Sequence, residues 1–146
     1  DDRPAPAEGM AAEREAERLC RANPYFLPVV AELRRMGKEL ALLSDMYLPG
    51  EFLQQLVEQA GYGRFSRCLV SGEAGVSKGA GGLFRRLREA YPPGTAFAHV
   101  GDHPLSDGPG QEQGFVPFPY ENVHRAGGPF RAKDLSPLVG GVYRAW

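Results

Sequence analysis

"FAHVGDHPLSD", residues 97–107, joins an apolar run to Gly101-Asp102, then a proline at 104 and a second carboxylate at Asp107. The run reads as a strand, and the glycine, proline and acids behind it read as the loop that leaves it. Two aspartates at a strand tip raise the question of what they hold. The segments on either side supply the frame for an answer.

The same pattern recurs upstream. "ELALLSD" (39–45) is a short apolar run ending in polar residues, as expected of a strand buried on both faces. "RCLVSGE" (67–73) reads as a second strand, "TAFAHVGD" (95–102) as a third, and "GFVPFPY" (114–120) as a fourth whose prolines suit an edge position. Helical patterns lie between them. In "NPYFLPVVAELRRMG", Asn23 is placed as N-cap and Pro24 as first helical residue; Phe26, Val29, Val30, Leu33 and Met36 share a face, and Gly37 is the stop. A second helix is expected over 49–60 with Phe52, Leu53, Leu56 and Val57 inward. A third is "SKGAGGLFRRLREAY", opened by Lys78, with Leu83, Phe84 and Leu87 buried and first turns weakened by Gly79, Gly81 and Gly82. Residues 11–20 read as a charged helix or helix end with a solvated face. Alternating strands and helices predict an α/β fold with a parallel sheet and right-handed crossovers.

Composition bounds the function. The 146 residues suffice for one ordinary domain, at 42% apolar and 24% charged. With 17 basic and 18 acidic side chains the net charge is −1, which argues against a nucleic acid or anionic membrane partner. Cys20 and Cys68 lie far apart with no C-x-x-C, so both are expected to be ordinary thiols in a reducing, cytoplasmic setting. No apolar run approaches the roughly 18 residues of a membrane span, and the first ten residues lack a signal-peptide pattern.

In a parallel α/β sheet the ligand site lies beyond the carboxyl ends of the strands. Ser44-Asp45, Ser71 to Glu73 and Gly101-Asp102 end the first three, and Lys78 follows the second. These types suit a phosphate with a divalent cation. A serine hydroxyl can donate to a phosphoryl oxygen, a lysine can neutralise charge on the transferring group, and two aspartates offer hard oxygens to Mg²⁺. Each residue also has a plain structural role: Ser44 as a helix cap, Lys78 as a solvated cation, Asp107 as a turn cap, and His103 as a surface residue. His99 and His103 would form a metal pair only on a helix, and a strand end argues against that. The ordered combination is what carries specificity.

That combination resembles the haloacid dehalogenase-like (HAD) superfamily of phosphohydrolases. "LALLSDMYLP" is similar to its second motif, "SKGAGGLF" to its third and "HVGDHPLSD" to its fourth. The wording is nearest a subgroup often found in large polypeptides alongside glycosyltransferase-like regions. The resemblance implies a three-layer, Rossmann-like parallel sheet over 23–120. It implies catalytic roles for Lys78 and Ser44, substrate contacts from Ser44, Asp45, Lys78 and His103, and Mg²⁺ held by Asp102 and Asp107. The substrate would be a phosphorylated small molecule, and the subgroup suggests a sugar phosphate.

The family's first motif, an apolar strand running into D-x-D-x-T, is absent before residue 39. Its first aspartate is the family's nucleophile and a metal ligand, and its second the general acid/base. This chain alone is therefore expected to be inactive, with a weak Mg²⁺ site. In the resembled fold that strand is central, between the strands ending at Ser44 and Asp102, so its absence should leave either a closed gap or exposed edges prone to self-association. Residues 1–22 would be the remnant of a helical cap and 121–146 a tail or the start of a further region, the chain being a fragment of a longer phosphohydrolase. A degenerate phosphate-binding or interaction module in a glycan-assembly polypeptide is the alternative. A receiver-like module using Asp45 is a third reading, which would need an acidic pair on an earlier strand; none is visible. After the fourth motif, Gly108, Pro109 and Gly110 should keep any helix short or late.

Overall fold

The computed structural model describes residues 22–121, together with Ala11 and Glu15, both helical. The rest of the expected helix over 11–20, Cys20, His124 and the apolar pattern near the end of the chain lie outside the described residues. The described residues divide into two compact units, 22–39 with Phe52–Arg64 in one, Leu40–Glu51 with 65–121 in the other.

In the first unit, helix α1 spans Phe26–Arg35. It begins two residues later than the Asn23-Pro24 signal predicts, because the Asn23 carboxamide is used in a local turn, accepting from the Tyr25 N–H at 3.0 Å. Its end is where Gly37 places it. That residue adopts φ 70, the Gly37 N–H donates to Arg34 O and the Lys38 N–H to Leu33 O, a Schellman closure that a side chain with a Cβ resists. Phe26, Val30 and Leu33 are half-buried, whereas Val29 and Met36, expected inward, are exposed. The Arg34 guanidinium donates to Tyr62 O at 3.1 Å and Arg64 O at 2.7 Å, and the Tyr62 hydroxyl to Asn23 O at 3.2 Å, tying the segment after the next helix to α1.

The second unit contains the strands. β1 (Ala41–Ser44) pairs in parallel with β2 (Arg67–Val70), from Ala41 opposite Arg67 to Ser44 opposite Val70. β3 (Phe97–Gly101) pairs in parallel with β4 (Phe115–Pro119). Among the described residues these are two separate two-stranded sheets, and β1 and β3 share no ladder. The architecture is thus mixed α/β with short parallel pairs. β1 is half-buried along its length rather than buried on both faces, since it has one strand neighbour. β4 lies at an edge, as its prolines at 117 and 119 require.

Helix α2 (Gly50–Gln59) starts in this unit and continues in the first. "SGE", expected to end the second strand, instead belongs to the single turn α3 (Ser71–Ala74). This turn clamps the exit of β1: the Gly72 N–H (2.9 Å) and the Ser71 hydroxyl (3.2 Å) both donate to Met46 O. It also brings Glu73 over the start of α2, where Oε1 accepts from the Gly50 N–H at 3.1 Å, a long-range N-cap. Helix α4 (Gly82–Glu89) begins only after Gly81, whose φ of 74 is left-handed, so Lys78 lies in the loop before the helix instead of opening it. Behind β3, single turns α5 (Pro104–Asp107) and α6 (Pro109–Glu112) stand where glycine and proline forbid a longer helix.

The core forms on one face of both sheets. Phe84, Leu87 and Phe115 are buried, with Ala41, Leu43, Leu69, Tyr91 and Phe97 packed against them. Alternate residues of β1 and β3 thus face one aromatic cluster, in which Phe84 meets Phe115 edge-on at 5.1 Å. Burying a side chain such as Phe84 contributes roughly 2–3 kcal/mol. Among the described residues no helix is long and apolar enough to cross a membrane.

Replacing Glu73 by Ala should lower stability by about 1 kcal/mol through loss of the cap. Gly72→Ala should cost more, about 2 kcal/mol, since its Cβ would meet Tyr47 Cα at 2.8 Å, backbone that cannot swing away. Urea midpoints at unchanged slope would measure both.

Candidate functional site

The carboxyl ends of β1 and β3 and the loop before α4 meet through side chains. Ser44 closes β1, half-buried, and Asp45 follows it. The Asp45 carboxylate accepts from the Lys78 N–H at 2.6 Å and the Gly79 N–H at 3.3 Å, which holds the loop against the end of β1. Ser77 steadies the same loop by accepting from the Ala80 N–H at 3.0 Å. From this loop the Lys78 side chain reaches Asp107, its Nζ 2.6 Å from Oδ1. One chain of contacts thus runs from β1 to the turn behind β3, although the two strands share no backbone bond.

Asp107 is held by two further donors. Oδ1 also lies 2.8 Å from Nε2 of His99, and Oδ2 accepts from the His103 N–H at 2.7 Å. The local sequence explains how it gets there. Pro104 opens α5 after His103, whose Nδ1 caps the turn by accepting from the Ser106 N–H at 3.3 Å. That turn carries Asp107 back over Gly101, and a Cβ at 101 would fall on the Asp107 carboxylate itself. The glycine is needed for this close approach.

Asp107 and Lys78 keep only 12% and 15% of their side-chain surface exposed, so solvent screens the pair weakly. Burial by itself pushes the Asp107 carboxyl up. The hydrogen bonds from His99, Lys78 and His103, together with the Lys78 charge, outweigh burial and hold it well below the usual carboxylate range. An ionised carboxylate only accepts, so the His99 nitrogen facing it must carry a hydrogen. The Nδ1 of His103 accepts a backbone N–H, which leaves Nε2–H as the edge that ring can offer to a ligand.

Of the residues singled out in the sequence, Asp45, Lys78, His103 and Asp107 stand in this connected network. Ser44 and Asp102 border it at the ends of β1 and β3. Among the described residues, no group of three or more His, Cys, Asp or Glu side chains is arranged to hold a metal ion. The sequence reading left out His99 as a partner of Asp107. Its signal was weak: His99 shares a strand face with Gly101, but only the turn over Gly101 puts Asp107 beside it. The Cys68 thiol is half-buried and pushed up to about 11 by burial, with Glu73 and Glu51 adding to the effect, so it is no ready nucleophile. A cavity of ≈ 470 Å³ lies elsewhere, lined by Arg88, Tyr91, Pro92 and Phe97 at the opposite end of β3, away from this network.

No model of a known protein family matches the chain, and a search of curated proteins finds no match either.

Asp107→Ala should destabilise the protein by about 3 kcal/mol near neutral pH, because it strands buried donors and a shielded cation. The folded carboxyl titrates below its ordinary value of 3.8, so its contribution is whole above that pH and is lost as pH falls through the folded value. Denaturation at pH 7 and pH 3 should show the gap between wild type and variant narrowing at the lower pH. Gly101→Ala should act through the same carboxylate. Its loss and that of Asp107→Ala should fall well short of adding in the double variant.

Proposed function

We propose that this chain is the part of a HAD-type phosphohydrolase that carries the second, third and fourth motifs, on a three-layer Rossmann-like sheet whose central first strand it lacks. The observation that carries the reading is the Lys78 bridge: Asp45 holds the Lys78 loop against the end of β1, and the ammonium rests on Asp107 beside the end of β3. A cation is thereby fixed at the carboxyl edge of parallel strands, its loop held by the residue that follows Ser44. This is where an α/β sheet binds its ligand. That β1 and β3 share no ladder is consistent with a strand belonging between them.

In this reading Ser44 donates to a phosphoryl oxygen, Lys78 offsets charge on the transferring group, and the His103 Nε2–H can reach a substrate oxygen. The Asp45 carboxylate serves the site by ordering the loop. The substrate is a phosphorylated small molecule, a sugar phosphate by subgroup association. Mg²⁺ is the cation that a phosphohydrolase of this type uses, and beside the carboxylates of the missing first motif Asp102 would be its ligand from this chain. The residues present do not by themselves fit such an ion, since both oxygens of Asp107 are taken by donors, two of them on basic side chains. The nucleophilic carboxylate is also missing from the sequence, so the aspartyl-phosphate step belongs to a complete protein carrying the first motif. A binding or interaction module, with phosphate held and not hydrolysed, is the second reading, favoured by that missing motif.

The 146-residue chain should not hydrolyse para-nitrophenyl phosphate with Mg²⁺. A longer protein supplying a strand with D-x-D ahead of residue 39 should, and Lys78→Ala or Asp102→Asn should abolish that turnover. If the longer protein stays inactive yet binds inorganic phosphate, the binding-module reading holds. Turnover by the 146-residue chain, lost in both variants, would overturn the missing-nucleophile argument.

A further inference from the structure

We propose that His99 is a positioning residue for Lys78, acting through Asp107. His99 lies in the middle of β3, and its ring meets Phe84 edge-on at 4.8 Å, a place an ordinary core aromatic could occupy. What an aromatic ring without nitrogen could not do is donate to Asp107. Lys78 Nζ and His99 Nε2 converge on the same oxygen, Oδ1, at 2.6 and 2.8 Å, while the other oxygen is held by the His103 N–H. A carboxylate with a backbone donor on one oxygen can still rock about that contact; the His99 donor on the second oxygen removes this freedom. The fixed Oδ1 then sets where the Lys78 ammonium rests.

The three groups come from three elements. Lys78 is on the loop before α4, His99 on β3 and Asp107 on α5, so the arrangement is built by the fold and not by local sequence. The His99 side chain is 15% exposed, which keeps water from competing strongly for Oδ1. With Asp107 thus engaged as an anchor for the cation, His99 and Asp107 together form the support of Lys78. The use of that support for a phosphoryl group rests on the function proposed above; the positioning itself does not.

The test uses the 146-residue chain and NMR. Long-range ¹H–¹⁵N spectra of the wild type should show His99 with hydrogen on Nε2; a bare Nε2 with hydrogen on Nδ1 would overturn the proposal without any variant. His99→Phe keeps a ring against Phe84 but has no donor, and His99→Gln restores a donor. The Lys78 ammonium resonance should be sharp in wild type and His99→Gln and broadened by water exchange in His99→Phe; equal spectra in all three would sink the idea. Inorganic phosphate, titrated by ³¹P NMR, should bind His99→Phe about tenfold more weakly than wild type, the size of one charge-assisted hydrogen bond, and His99→Gln nearly as well as wild type. No phosphate binding by wild type, with the two spectroscopic signatures intact, would overturn the phosphate reading and leave the positioning role supported. Phosphate binding that ignores both substitutions would overturn the positioning role and leave the phosphate reading supported.

Discussion

The strand ends of this protein are organised by one shielded carboxylate. Asp107 accepts from a lysine, a histidine and a backbone N–H, and each donor comes from a different place in the fold. A largely shielded carboxylate that lost these partners would be costly, so the loop before α4, the middle of β3 and the turn α5 are all constrained to stay where they are. The constraint reaches further through Asp45, which holds the backbone of the same loop to the exit of β1. Polar contacts thereby join two sheets that share no ladder.

The apolar side of the same arrangement lies beneath. Phe84 and Leu87 of α4 and Phe115 of β4 draw residues of β1, β2 and β3 onto one cluster. Two-stranded parallel pairs are poor units by themselves, and packing on a common helix supplies the contacts that a continuous sheet would share among its strands. Gly110 belongs to this packing, since a Cβ there would come within 2.9 Å of the Phe84 ring and push α6 away. The other face of β3 and β4 presents Val100, Val116 and Phe118, each about half exposed.

Asp45 and Asp107 show how a residue chosen for its chemistry can serve by geometry. Asp45 follows β1 directly and Asp107 lies on the turn after β3, both places where a ligand or an ion is the first expectation. Asp45 instead spends its oxygens on two backbone N–H groups, and Asp107 spends both of its own on donors within the chain. In the proposed function they are the supports of Lys78, and Ser44, Asp102 and the ring edge of His103 are the groups offered to a ligand.

Strand and helix order, the stop at Gly37, the inward set Leu83, Phe84 and Leu87, and the edge character of β4 were legible in the sequence. Periodicity, glycine conformation and the missing N–H of proline act over a few residues, and a few residues are enough to read them. Ser44 and Asp102 stood out because strand ends are marked locally, and Lys78 and Asp107 through their order relative to them. The late start of α4, the helical turn at Ser71–Ala74 and the separation into two sheets were decided by tertiary structure. So was the partnership of His99 with Asp107, which depends on a turn folding back over Gly101 and on a lysine arriving from another element. Local sequence sets which conformations a segment can adopt; which donor meets which acceptor is set by where packing brings distant segments together.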